Sequence, residues 1–291
     1  MDLFLQALVS GLLKGGLYAL VGIGMTLIMG VMKIINLAHG QLMMVSMYIT
    51  FVCFTYLGID PYVSLLICMP VLFLLGVVIQ KYLLNPLIRV ETILPENQVL
   101  MTVGIGMVLT ETMRFIFTSD YKSVKTSYSN AVFFLGNISF SVPLLIDLIF
   151  VTLLTLALFW FLNKTDTGKS IRATAQDKDA AILMGVNSEK ITYITFGMGS
   201  ALVAAAGALL IPIYYLFPDI GGDFTRRAFV ICILGGLGST VGAIFGGITL
   251  GLAEALGATY WAMEFEDIIG LVIFILVLLF LPGGFRRLVK G

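Results

Sequence analysis

The sequence predicts an all-α, polytopic membrane protein with about eight transmembrane helices, including a broken or re-entrant pair, in a single transmembrane domain over residues 1–291. Three observations carry this. Hydrophobic residues make up 59% of the chain and charged residues 12%, and the mean hydropathy is +1.04, well outside the balance of a soluble globular domain. Apolar runs of about 20 residues, the length that crosses a hydrocarbon layer about 30 Å thick, recur along the chain. Charges cluster between the runs, with a formal net charge of zero and no basic block. Membrane lipid is therefore the expected surrounding, and nucleic acid is not a partner.

Spans are expected at 5–30, 38–57, 62–82, 97–118, 142–163, 190–212 and 266–282. The first has no preceding Lys or Arg and no cleavage site, so it reads as a retained span rather than a signal peptide. Cys53, Cys68 and Cys232 sit inside apolar runs without metal-ligand spacing and read as small buried hydrophobes. Orientation follows from the basic residues. Lys164, Lys169, Arg172, Lys178 and Lys190 mark the loop 164–190 as cytoplasmic, and Arg286, Arg287 and Lys290 do the same for the tail.

The region 226–257 is too long for one untilted span and too short for two. With Asp219 and Asp223 outside and the last span running inward, it must enter and return on one side. LGGLGSTVG, Leu234 to Gly242, supplies glycines for the turn. Two short half-helices are expected to meet there, either as a plain hairpin or, because broken helices at membrane depth line cavities, beside a translocation pathway. Gly238, Gly242 and Gly246, like Gly11, Gly15 and Ala19, recur every four residues, the spacing of close-packing membrane helices.

The charged, alanine-rich stretch Thr165 to Val186 interrupts the apolar pattern. Gly168 to Thr174 and Asp177 to Met184 have helical composition, with Thr167 and Asp177 as N-caps and Gly185 as a stop. Two short cytoplasmic helices result. Ala180, Ala181, Ile182, Leu183 and Met184 form an apolar cluster too small for a core, which should dock against a partner. GKS at Gly168 to Ser170 is not a phosphate-binding loop, because the glycine required five residues earlier is Asn163 and the stretch follows a membrane helix.

RATAQDKDAAILMGV, Arg172 to Val186, resembles the coupling loop of permease subunits from ATP-binding-cassette importers. GLYALVGIGMTLIMGVMKIINLAHG, Gly16 to Gly40, and AFVICILGGLGSTVGAIFGGITLGLAEAL, Ala228 to Leu256, resemble the branched-chain amino-acid permease family, in the family's order and over nearly the whole length. Leu37 stands where the family commonly has Phe. The resemblance implies an H-type, non-catalytic subunit of the bacterial inner membrane that pairs with an M-type permease. Two ATPase subunits would bind the ATP and Mg, this chain holding no cofactor, and a soluble binding protein would deliver substrate. It also implies a coupling role for Arg172, Ala173, Asp177, Ala180, Ala181, Leu183 and Gly185.

The candidate substrate pathway comprises Asn36, His39, Gly40, Gly235, Gly236, Gly238, Ser239 and Glu254. His39, the only histidine, is either a satisfied structural group or a substrate contact. Glu254 would pair with a basic residue, and Glu111 with Arg114 three residues on. Half-helix ends would supply partial charges to a zwitterion. Urea and short amides stay open as substrates within this architecture. An ion-coupled secondary transporter needs midplane acids, of which Glu254 is one candidate, and no clustered catalytic constellation points to a membrane enzyme.

Overall fold

The computed structural model describes residues 2–89, 95–136, 138–261 and 266–280. In chain order the elements are α1 (Asp2–Met32), α2 (His39–Leu57), α3 (Pro61–Ile79), α4 (Asn85–Arg89), α5 (Pro95–Phe117), β1 (Val132–Leu135), β2 (Ile138–Ser141), α6 (Val142–Lys164), α7 (Asp166–Gln176), α8 (Lys178–Leu183), α9 (Ser188–Leu210), α10 (Ile220–Gly235), α11 (Thr240–Tyr260) and α12 (Glu266–Phe280). Seven of these stretches are long and apolar enough to cross a membrane. The α10 helix (16 residues) and α12 (15 described residues) are shorter.

The α1 helix is the central column. Within its most apolar window 94% of residues are buried, against 17% in α5, so α5 lies at the periphery and α1 at the core. Its seam with α11 is built from small residues. A Cβ added to Gly11 would come within 2.8 Å of the Leu252 backbone, and one on Gly15 within 2.8 Å of Ile248, so backbones touch where side chains would hold them apart. The other face of α11 takes Gly242 and Gly246 against Gly235 and Ile231 of α10. The same device joins α3 to α9, where Gly76 meets Ser200 and Gly197 meets Phe73.

Span boundaries fall close to expectation except in three places. Asp60 caps α3 through Tyr62 N at 2.9 Å, and a π-turn at Gln80–Leu84 carries that helix into α4, so the apolar stretch reaches Leu87 rather than 82. Outside the membrane, β1 and β2 form an antiparallel hairpin, Val132 opposite Ser141 and Leu135 opposite Ile138, with Gly136 at φ +63° in the turn. The sequence reading did not anticipate it.

The third difference is the glycine break. The chain does turn at 236–239, between α10 and α11, but the second arm is not a half-helix: α11 has 21 residues and crosses by itself. Antiparallel to α1, it pairs Gly251 with Gly15 and begins beside Gly30. The turn therefore lies at the same end of the molecule as the C-terminus of α1, and only α10 is short.

Candidate translocation and coupling site

The handle consists of α7 and α8. Thr165, not Thr167, caps α7, its Oγ1 accepting from Gly168 N at 3.0 Å. Gly168 must be glycine here, since a Cβ would run into the backbone of Phe161 and Leu162. Asp177 caps α8 as expected, accepting from Asp179 N and Ala180 N, both at 3.0 Å. Gly185 ends it at φ +87°, in the left-handed region. Ile171 and Thr174 are buried and fasten α7 to the membrane helices. Arg172 donates to Asn163 Oδ1 at 2.7 Å.

The apolar cluster of α8 divides. Ala181 is buried and so faces inward rather than toward a partner. Leu183 and Met184 are 87% and 85% exposed, an apolar pair presented at the surface. Ala173 and Ala180 are exposed beside them.

One junction joins the handle to the end of α1 and to the α10–α11 turn. The Lys33 ammonium, just past the end of α1, donates to the Ala175 carbonyl at 2.9 Å. Gly30 sits against Gly238, and a Cβ on Gly30 would lie 4.0 Å from that of Ala175. A cavity of about 240 Å³ opens here between α1, α6, α7 and the α10–α11 turn, with Gly30, Arg172 and Ser239 on its walls. The turn itself is fixed by Gly236 (φ +86°) and Gly238 (φ +78°) and by Ser239, whose Oγ accepts from Gly242 N at 3.0 Å. Gly235 lies so close to Gly242 that neither tolerates a side chain.

A second cluster sits deeper. After α1 the chain folds back and α2 starts beside the middle of α1, where His39 Nε2 makes a 3.0 Å hydrogen bond with the Val21 carbonyl. His39 is fully buried. Asn36 Oδ1 accepts from Ala38 N at 3.1 Å. Gly40 N donates to Thr225 Oγ1 at 2.9 Å, with the Gly221 carbonyl pressed against Gly40. The first turns of α2 and α10 thus pack against each other, with the α2 amide of Gly40 donating across the contact.

The third cluster answers the question of Glu254. Arg227 Nε donates to Glu254 Oε1 at 3.1 Å, with Glu254 buried and Arg227 16% exposed. The guanidinium lies 5.6 Å from the Tyr18 ring centroid and 5.5 Å from that of Phe224. Glu111 pairs with Arg114 as expected. Arg114 also grips both carboxylate oxygens of Asp219 at 2.8 and 3.0 Å, tying α5 to the start of α10.

The eight pathway residues therefore do not share one pocket. They fall at the α10–α11 turn, at the α2–α10 junction and at the Arg227–Glu254 pair between α10 and α11. Arg227, Thr225 and Lys33 escaped the sequence reading, although a charge such as Arg227 between apolar residues was a usable signal. Asp147, fully buried on α6 near Tyr62, was another.

This arrangement defines a class of protein: a polytopic helical membrane protein whose α7–α8 handle is fastened to the apolar helices that carry its buried charges. Comparison with known families makes the class specific. Residues 7–278 match the family described as branched-chain amino acid transport system / permease component, and the chain belongs to it. It is 31% identical over 294 residues to the high-affinity branched-chain amino acid transport system permease protein BraD of Pseudomonas aeruginosa, covering 97% of this chain and 95% of that one. The same identity holds over 306 residues with LivH of Escherichia coli, covering 97% and 94%. A probable LivH of Methanocaldococcus jannaschii is 30% identical over 290 residues, covering 94% and 90%.

Proposed function

We propose that this chain is the H-type permease subunit of an ATP-driven importer of branched-chain amino acids in the bacterial inner membrane. It pairs with an M-type permease, takes substrate from a soluble binding protein, and is driven by two ATPase subunits that hold the ATP and Mg²⁺. The chain itself contributes no catalytic group. Membership of the family, with relatives named as branched-chain amino acid permeases along nearly their whole length, supports the substrate class. The single structural observation that carries the mechanism is the junction of α7 with α1 and the α10–α11 turn through Lys33, Ala175, Gly30 and Gly238.

In this reading Leu183 and Met184 seat in the ATPase, with Arg172, Ala173, Asp177, Ala180 and Gly185 shaping the seat and the buried Ala181 packing α8 onto its neighbours from behind. ATPase closure moves α7 as a rigid body, and the movement passes into α1 and α10. Asn36, His39, Gly40, the glycines of the turn, Ser239 and Glu254 border the route that opens. The test is substrate-stimulated ATP hydrolysis by the complex in liposomes, comparing leucine, isoleucine and valine with urea. Stimulation by the aliphatic amino acids, lost on disrupting Ala180 to Gly185, is the expected result. Stimulation by urea alone would overturn the substrate, and the lack of any associated ATPase would overturn the importer.

A further inference from the structure

We propose that Arg227 and Glu254 form a recognition pair, halfway through the membrane, for a zwitterionic α-amino acid. The substrate carboxylate replaces Glu254 at the Arg227 guanidinium, and the substrate ammonium pairs with the Glu254 carboxylate so released. This deepens the importer reading above and rests on it.

Position is the first reason. Arg227 lies near the middle of α10 and is stacked beside Tyr18, near the middle of α1. Charges at that depth are costly and mark substrate or ion pathways. A buried ion pair is also a weak stabiliser, since apolar residues of similar volume often replace one without loss. Packing alone does not account for its presence between two helices already joined by a glycine seam.

Chemistry is the second. An α-amino acid carries its two charges on one carbon, so its binding site needs a cation and an anion within a few ångströms of each other. Arg227 Nε and Glu254 Oε1 are 3.1 Å apart. The surroundings offer apolar surface to an aliphatic side chain: Tyr18 and Phe224 flank the guanidinium, and Val230, Leu250 and Leu271 line the adjoining cavity, with the Asp223–Arg226 ion pair also on its wall. That cavity measures about 20 Å³, room for about one water, so a substrate is admitted only when the pair parts. Urea has no formal charge with which to replace either partner.

Mechanics is the third. The two charges stand on the two arms of the α10–α11 hairpin, whose turn at Gly238 rests on Gly30, next to Ala175 of the handle. Displacing α7 therefore acts on the element that sets the distance between Arg227 and Glu254. The internal pair holds the arms together when no substrate is present, and a bound zwitterion keeps both charges compensated while they part.

The experiment is radiolabelled leucine uptake by the complete complex in proteoliposomes. Arg227→Lys and Glu254→Asp keep the buried charges compensated and so retain the fold. The double exchange Arg227→Glu with Glu254→Arg keeps the pair but reverses its polarity. Expected are a half-saturating leucine concentration raised by about tenfold or more in the two conservative variants, and loss of uptake in the exchange, with all subunits still co-purifying. Leucine uptake within about twofold of wild type in both conservative variants would overturn the proposal, whether or not the exchange assembles. A wild-type complex that takes up urea and no leucine would instead overturn the substrate reading on which the pair depends.

Discussion

The Lys33 ammonium and the Ala175 carbonyl, 142 residues apart in sequence, are joined at 2.9 Å. This bond ties the last turn of α7 to the end of α1, and Lys33 adopts a left-handed backbone, φ +59°, to make it. Lys33→Met is expected to lower leucine-stimulated ATP hydrolysis while costing no more than about 1 kcal/mol of stability, the scale of one exposed hydrogen bond. Lys33→Gly removes the ammonium but relieves the backbone. Its thermal midpoint should equal or exceed that of Lys33→Met with the same loss of coupling.

The handle offers a paired contrast. Leu183→Ser and Met184→Ser alter exposed side chains and should leave the thermal midpoint of the chain nearly unchanged, within about 0.5 kcal/mol. The same variants should reduce recovery of the ATPase in pull-downs. Ala181→Glu places a charge in a buried position and should behave oppositely, destabilising by about 1–3 kcal/mol or more before any effect on docking is seen.

Glycines in different surroundings should respond differently to the same methyl group. Gly251→Ala puts a Cβ 2.6 Å from the Gly11 carbonyl and should separate α11 from α1, lowering the yield of folded protein. Gly104→Ala meets nothing within 4 Å and should be neutral or slightly stabilising, by up to about 1 kcal/mol through helix propensity. Thermal unfolding of both variants in detergent distinguishes these outcomes.

At the outer surface Tyr128 donates to Asp60 Oδ2 at 2.7 Å and stacks on Tyr62. Burial first, and then the hydrogen bond to Asp60, push the Tyr128 hydroxyl above its ordinary pKa. The folded state thus holds this proton more tightly than the unfolded one, so the contribution is fully present below the unfolded tyrosine value, about 10, and is lost as pH rises beyond it. Alkaline titration followed by tyrosinate absorbance should show Tyr128 ionising later than an exposed tyrosine, and Tyr128→Phe should reduce the late-ionising absorbance by one tyrosine's share.

What the sequence disclosed depended on how far apart the interacting residues lie. Span ends were legible because apolar runs stop at charges or prolines, as at Pro61 and Lys164. The handle was legible because Asp177 and Gly185 act on their immediate neighbours. Thr165 was missed as the cap because Thr167, two residues on, satisfies the same local pattern. The hairpin at 132–141 was missed because two strands of four residues give too short an alternation to compete with the surrounding apolar runs. That α11 is a full span became clear only from its pairing with α1.

The partner of Glu254 shows the same limit. Arg226 and Arg227 are adjacent, and composition does not distinguish them. Helical phase does: Arg226 pairs locally with Asp223 at 2.6 Å, while Arg227 turns inward between Tyr18 and Phe224. That choice depends on where α1 lies, more than 200 residues earlier in the chain.

The seam between α1 and α11 also sets the order in which the molecule is completed. α1 is synthesised well before α11, yet the residues that cover Gly11 and Gly15 are Ile248, Gly251 and Leu252, more than 230 residues later. During synthesis its small-residue face must wait, against lipid or a helper protein, while the intervening helices insert. Closing this early-to-late contact is the step at which biogenesis commits, and nascent chains stopped before α11 should remain open to proteolysis however well their other helices have inserted.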